Sequence, residues 1–395
     1  MLEATLRERA KGLLTAASGR SDVPPFMVMD VMAAAARIEA AGGHVIHMEV
    51  GQPAASAPKA AIQAARAALD SRIDYTAALG TPSLRERIAR HYRESYGFAV
   101  DSSRIVVTTG SSAAFILAFM AMFEPGDRVA VTVPGYPPYR HILTALGCEP
   151  VLIETTSETR HALTGEALLA AHHKAPLKGV LVASPANPTG TMMSREALSG
   201  LISAAESAGI RFISDEIYHG LDYAFPAVTA AELSADALVI NSFSKYFCMT
   251  GWRVGWMVVP EPLVRPIERL QQNLSISVPT LSQIAAEAAF DGKPEMEEVK
   301  RAYLENRRIL IEGLPRAGLT KFLPADGAFY LYADVSDFTS DSLAFAGQML
   351  EKAHVAATPG VDFDPIHGRQ FIRFSYARSA QEMREAVERI ARWLK

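Results

Sequence analysis

The stretch 241–256, NSFSKYFCMTGWRVGW, places one lysine, Lys245, directly after Ser242 and Ser244 and ahead of a Gly-Trp-Arg. A surface lysine usually sits among other long polar residues. Lys245 follows an apolar segment, ALVIN (237–241), and lies among Phe, Tyr, Cys, Met and Trp. Such surroundings imply a lysine with a lowered pKa, a covalent role, or both. Working outward, ALVINSFSK (237–245) reads as a strand that delivers a lysine at its end, and the same form recurs upstream. RIVVTTG (104–110), RVAVTVPGY (128–136), GVLVASPANPTG (179–190) and IRFISDEIY (210–218) are short β-branched runs. SSAAFILAFMAMF (111–123), EALLAAHH (166–173) and SREALSGLISAAESAG (194–209) lie between them and read as helices. This alternation predicts an α/β protein, a mostly parallel sheet in an α/β/α sandwich.

The chemically distinctive residues fall at the C-terminal ends of these runs. They are Gly110-Ser111-Ser112, Pro134-Gly135-Tyr136, Asn187-Pro188, Asp215 and Lys245. That edge is where an open α/β sheet binds its ligand. Beyond about 262 the pattern changes. Residues 280–312 read as long helices, FYLYADV (329–335) and QFIRFSYA (370–377) as strands, and 380–394 as a final helix. The expected organisation is a large domain, 48–285, and a smaller α+β domain made of 1–47 and 286–395. VMAAAARIEAAGG (31–43) and AAIQAARAALD (60–70) read as helices as well.

Composition bounds the alternatives. The 395 residues are 49% hydrophobic and 21% charged, with net charge −4, a globular profile without the basic footprint of a nucleic-acid binder. Two cysteines, Cys148 and Cys248, supply neither a disulfide framework nor a Cys-rich metal site, so a reducing compartment is expected. No apolar run spans a bilayer. The opening segment, 1–20, is weakly amphipathic and Arg-bearing, but Glu3 and Glu8 argue against a transit peptide. The expected location is the cytoplasm.

The strand-end residues suggest one ligand. Gly110-Ser111-Ser112 opens a helix, where free N–H groups and the helix dipole hold an anion such as a phosphate. Arg253, Ser242 and Ser244 could add a charged fork and hydroxyl donors. The alternative is a plain serine N-cap. Asp215 could pair with a protonated ring nitrogen, or close a turn. Tyr218 follows at helical spacing, so both would face one pocket. Asn187 could donate to a phenolate-like oxygen, or belong to a simple turn. Tyr136 offers a flat face for a ring, or packs in the core. A lysine amine, a phosphate cradle, an acid, oxygen donors and a stacking ring together describe pyridoxal 5′-phosphate, PLP.

At this point the sequence resembles the fold-type I PLP enzymes, specifically the class I/II aminotransferases of the aspartate aminotransferase superfamily. The matching pieces run in order through most of the chain. They are YTAALGTPSLR (75–85), TTGSSAAF (108–115), PGYPPY (134–139), NPTG (187–190), SDEIY (214–218), SFSKYFCMTGWRVGW (242–256), GAFYL (327–331) and FIRFSYA (371–377). The resemblance implies an aminotransferase that moves an amino group from an L-amino acid to a 2-oxo acid by ping-pong steps. Lys245 would form the Schiff base, and Asp215 would hold the ring nitrogen. Asn187 and Tyr218 would bind the ring oxygen, and Tyr136 would stack on the ring. Ser111, Ser112, Ser242, Ser244 and Arg253 would surround the phosphate. Tyr75 would reach the neighbouring subunit's phosphate in a homodimer. Arg373 would grip the substrate carboxylate, with Gly51 and Asn187 beside it. Alternation in FIRFS also sets Arg373 opposite Ile372 and Phe374, although an exposed strand arginine is the competing reading.

Three places depart from the family pattern. GSSAAF has Ser112 where some aspartate-preferring members carry a lysine. GQPAAS (51–56) lacks the usual Asp-Phe pair, and PGVDFDP (359–365) lacks the usual Phe-Gly. These favour a monocarboxylic donor, aromatic or aliphatic, with a broad range or aspartate left open. A C–S lyase or decarboxylase on the same fold is the alternative. A non-catalytic ligand sensor is the third reading, and the chain has no spare length or basic surface for a DNA-binding module.

Overall fold

The computed structural model describes residues 16–395. The amphipathic opening segment, residues 1–15, lies outside the described residues. A helix, Met27–Ala40, leads into a short strand β1 (Ile46–His47), and two further helices follow, Lys59–Ala68 and Pro82–Tyr96. The central sheet comes next. Its strands are β2 (Ile105–Thr108), β3 (Arg128–Val133), β4 (Glu149–Glu154), β5 (Gly179–Ala183), β6 (Arg211–Asp215), β7 (Leu238–Ser242) and β8 (Gly255–Val258). They lie in the order β2-β8-β7-β6-β5-β3-β4. Only β8 runs antiparallel to its neighbours. The ends of β2, β3, β5, β6 and β7 therefore point to one edge.

β2 and β7 are buried on both faces, which is why they read as unbroken apolar runs, whereas the edge strand β4 is partly exposed. The pleat sorts alternate residues to opposite faces. Val106, Val129, Val131, Leu238 and Ile240 pack into one core with the Gly110–Met122 helix. Val107, Ala130, Val239 and Val258 pack into the other. The 110–122 helix has Phe115 and Phe119 buried against the sheet and is apolar on nearly every side. β3 stops at Val133, short of the 128–136 run read from sequence, because Pro134 has no N–H to continue the ladder.

Helix ends follow local chemistry. Thr164 and Ser194 accept the N–H groups of Ala167 and Ala197 at 3.1 and 3.2 Å. Ser379 and Glu382 form a reciprocal capping box at the start of the last helix, Ala380–Leu394. Gly97 ends the 82–96 helix with a left-handed φ of 66°.

The C-terminal part contains β9 (Lys321–Phe322), β10 (Tyr330–Asp334), β11 (Val355–Ala356), β12 (Thr358–Pro359) and β13 (Phe371–Ser375). Four of these form an antiparallel sheet, β12-β13-β10-β9, in which Arg373 pairs with Tyr332. β1 pairs in parallel with β11, and Ala35 and Val45 pack against Leu350 and Ala356. The chain start is thereby tied to the C-terminal part. Among the described residues, no helix is long and apolar enough to cross a membrane.

Candidate active site

A cavity of about 260 Å³ opens at the C-terminal edge of the large sheet, where the smaller sheet faces it. Lys245 is three residues beyond β7, half-buried, with Nζ donating to the Gly51 carbonyl at 2.6 Å. Burial pushes its amine down to about 8. The Arg373 and Arg253 cations add to that effect and Asp215 opposes it. Gly51 has no room for a side chain, because a Cβ would collide with the Tyr330 hydroxyl. Its carbonyl can thus lie against the lysine.

Asp215 is the last residue of β6. One oxygen, Oδ2, accepts from the Tyr139 hydroxyl, and Oδ1 accepts from the Ile217 N–H at 3.0 Å. Oδ1 closes the turn, and Asp215 also lines the cavity. Burial raises this carboxyl to about 6, against the pull of those two donors. Tyr218 lines the same cavity, but the helical spacing read from sequence is corrected: residues 216–220 form no helix. The Asp215 side chain closes a local turn instead, and the Glu216 carboxylate is drawn away to the Ala230 N–H at 2.7 Å.

Arg373 is buried, 2% exposed, so the exposed-strand reading is also corrected. Its Nη1 donates to Asn187 Oδ1 at 2.9 Å, and its Nη2 donates to the Glu49 carbonyl and, at 3.1 Å, to Thr358 Oγ1. Among the described residues its Nε–H has no partner. The guanidinium lies over the Tyr330 and Phe363 rings at 4.4 and 4.7 Å. Arginine can only donate, so Asn187 turns its oxygen to Arg373 and keeps its amide N–H groups free. Tyr218 and Tyr330 share a hydrogen bond at 2.8 Å. Tyr136 lines the cavity and packs edge-on against Phe26 and Tyr139, with centroids 5.9 and 5.2 Å apart.

Ser111 and Ser112 stand in the first turn of the 110–122 helix and line the cavity. The residue capping that helix is Thr109, and among the described residues no side chain satisfies its first N–H groups, so a plain serine N-cap is not what the sequence encodes here. Gly110 has a left-handed φ of 72°, and the Arg253 guanidinium occupies the space a Cβ would need. Arg253 is itself left-handed, φ 49°, and its Nη1 donates to the Thr250 carbonyl at 3.0 Å. Ser244 lines the cavity. Ser242 does not. It is buried behind, its hydroxyl donating to Ser244 Oγ at 2.9 Å, because it belongs to the central strand β7 and Ser244 lies past its end. Tyr75 is 80% exposed and lies outside the cavity.

Sequence reasoning missed Tyr139, Tyr330 and the apolar wall of Phe26, Val28, Met29 and Met32. Tyr139 and Tyr330 were within view in PGYPPY and GAFYL. Nothing in the sequence marks the helix start at 27 as part of a site.

The cavity suits PLP on its own geometry. A lysine with a lowered pKa, a buried carboxylate, an uncapped helix start under an arginine and free amide donors on Asn187 are the groups the cofactor needs. The family model described as "Aminotransferase class I and II" matches residues 43–390. The chain belongs to this family. It is a PLP-dependent aminotransferase of fold type I. The chain is 48% identical, over 95% of its length and 97% of the relative's, to a valine–pyruvate aminotransferase of Mycobacterium tuberculosis. It matches a solved aminotransferase structure from the same organism with TM-score 0.94 and 47% identity, covering 96% of this chain and 99% of that one. The aspartate aminotransferase of Thermus thermophilus with maleate matches at TM-score 0.90 and 31% identity, covering 96% and 99%. Nothing among these relatives favours the lyase or decarboxylase alternative.

Proposed function

We propose that this aminotransferase takes its amino group from a monocarboxylic aliphatic amino acid, valine being the type, and passes it to a small 2-oxo acid such as pyruvate. One observation carries the reading. Among the described residues lining the cavity, the cations are Lys245, Arg253 and Arg373, and each already has a role. Lys245 holds the cofactor, Arg253 its phosphate and Arg373 the substrate α-carboxylate. No cation remains there for a second carboxylate, and Phe26, Val28, Met29 and Met32 offer the side chain an apolar wall. The valine–pyruvate relative supports the same class.

When bound, PLP supplies an electron-withdrawing ring that delocalises the electron pair left at the substrate Cα. The chain's residues supply the rest. Arg373, with an unpartnered Nε–H, grips the substrate carboxylate and orients Cα. Lys245, freed as a neutral amine, takes the Cα proton and returns it on the other side of the transfer. Asp215 pairs with the ring N–H, while Asn187 and Tyr218 donate to the ring oxygen. Gly51 and Tyr136 border the substrate and the ring. The helix start at Gly110, Ser111, Ser112, Ser244 and Arg253 hold the phosphate, with Ser242 steadying Ser244. The two half-reactions follow in turn.

The same proposal includes a homodimer in which Tyr75 reaches the neighbouring site, supported by its exposure. It includes a large domain, 48–285, and a small one, 1–47 with 286–395, supported by the two separate sheets. It includes a cytoplasmic location, supported by two free, buried cysteines.

The test is the visible spectrum of the PLP-loaded protein mixed with single amino acids and no 2-oxo acid. Valine and other aliphatic donors are expected to bleach the band at least about a hundredfold faster than aspartate. Faster bleaching by aspartate or glutamate would overturn the donor class.

A further inference from the structure

Behind the wall that carries Tyr218 and Lys245 lies a second cavity, of about 300 Å³. Successive residues serve opposite sides. Tyr218 and Lys245 line the first cavity, while His219 and Tyr246 line the second. His219 is 6% exposed, and both its ring nitrogens are engaged. Nε2 lies 2.9 Å from the Ser184 carbonyl oxygen, and Nδ1 lies 2.8 Å from the Tyr96 hydroxyl. A carbonyl oxygen only accepts, so Nε2 carries the hydrogen and donates. In the neutral ring Nδ1 is then the acceptor, and Tyr96 donates to it. Glu216 Oε2 stands at 3.5 Å from the same Nδ1, too far to displace the tyrosine.

The bond to Ser184 joins two segments that matter to the site. Ser184 begins the irregular segment that leads to Asn187, and His219 follows Tyr218 directly. The β5–β6 pairing ends at Ala183 and Asp215, with one further bond from Ser184 N–H to the Asp215 carbonyl at 3.2 Å. Past that point each segment is held from the smaller sheet, Asn187 by Arg373 and Tyr218 by Tyr330. The His219 ring ties them to each other from behind.

We propose that His219 is a positioning residue that clamps the Asn187 and Tyr218 segments together. It thereby sets the strength of both hydrogen bonds to the cofactor's ring oxygen, with Tyr96 fixing its tautomer. This rests on the reading that Asn187 and Tyr218 bind that oxygen. Donors there favour the form of the bound cofactor in which negative charge is concentrated on the oxygen, the form that has lost its proton. A loosened clamp weakens them and moves the pH midpoint of the visible absorbance change upward.

The experiment uses the PLP-loaded full chain and its His219→Leu, His219→Gln, Tyr96→Phe and Asn187→Ala variants. His219→Leu is expected to raise the midpoint by about one pH unit, the size of one weakened hydrogen bond to a charged group. His219→Gln, which keeps an N–H for Ser184, is expected to stay close to the parent. Tyr96→Phe should move the midpoint part of the way. A His219→Leu protein that melts earlier but keeps the parent midpoint overturns the clamp, since a merely structural residue would behave so. Equal shifts in the Leu and Gln variants overturn it too, because the donor would then not matter. Should the Leu variant fail to fold, Tyr96→Phe decides: a raised midpoint supports the clamp and an unchanged one overturns it. Asn187→Ala separates the two readings. If it leaves the midpoint unmoved, the ring-oxygen assignment has failed and the clamp fails with it. If it raises the midpoint while His219→Leu does not, the clamp alone is wrong.

Discussion

Lys245 has its amine at about 8, where an ordinary lysine stands at 10.5, and burial is the main cause. The free amine is the form that captures the cofactor aldehyde. Its fraction rises with pH until the pKa is passed and then levels off. Uptake of PLP by the cofactor-free protein should therefore climb to a plateau just above pH 8. With an ordinary lysine the rate at pH 8 would be about a hundredfold lower. Stopped-flow absorbance at a series of pH values measures this, and a rate still climbing nearly tenfold per unit at about pH 9 would refute it. Asp215 gives the second test at this scale. The Tyr139 hydroxyl donates to its Oδ2 and opposes the upward push of burial. Tyr139→Phe removes that donor, so the carboxylate should move further above about 6 and pair less well with the ring N–H. A fall in kcat of about tenfold with KM nearly unchanged is expected, the size of a lost hydrogen bond to a charged group. An unchanged kcat would show that Asp215 needs no such support. The acid was legible in the sequence and its partner was not. Asp215 announces itself by ending an apolar run, whereas Tyr139 lies 76 positions away in sequence and meets it only through the fold.

The element proposed to hold the cofactor's phosphate is the 110–122 helix, entered through Gly110. That glycine has φ 72°, and Arg253 fills the space beside it. Gly110→Ala would add backbone strain of about 1–3 kcal/mol and push the guanidinium out of place. Cofactor dissociation should speed up by an order of magnitude or more, with a modest drop in Tm, and dialysis followed by absorbance measures it. Parent-like retention would mean that the phosphate is held elsewhere. This element was readable because a strand followed by Gly-Ser-Ser has one common outcome in an α/β sheet. Periodicity contributed little, since a helix buried against the sheet is apolar on nearly every side. The turn after Asp215 was misjudged for a related reason. An i, i+3 pair reads as a helix only if the side chains leave the backbone alone, and Asp215 bonds Ile217 instead. The apolar wall at 26–32 was not legible at all. It reaches the cavity because β1 and β11 pair and bring the chain start to the C-terminal part, a contact spanning about 309 positions, the Ile46 to Val355 register.

At the scale of the whole molecule, five of the exposed large apolar residues lie in two connected segments, and the others are scattered. Leu69, Ile73 and Tyr75 lie in one, and Leu274 and Ile276 in the other, all well exposed. Thr280 Oγ1 binds the Asp74 carbonyl at 2.6 Å and Gln283 Nε2 binds Thr76 Oγ1 at 2.8 Å, so the first segment is fastened to the helix that follows the second. Large apolar side chains clustered on a surface mark a contact face. The proposed homodimer uses this face, with Tyr75 carried into the neighbouring site. Sedimentation should give twice the 42.7 kDa chain mass. An Ile73→Asp, Ile276→Asp double variant places two carboxylates where the copies meet and should sediment as a monomer that binds PLP poorly. Tyr75→Phe should remain a dimer and lose cofactor affinity by about tenfold, as expected for one hydrogen bond to a charged oxygen. The two variants separate assembly from contact. A monomeric double variant with full cofactor affinity would show that each site is complete within one chain, and a dimeric one would place the interface on another face. Full affinity in Tyr75→Phe would leave the dimer intact and remove the tyrosine from the site.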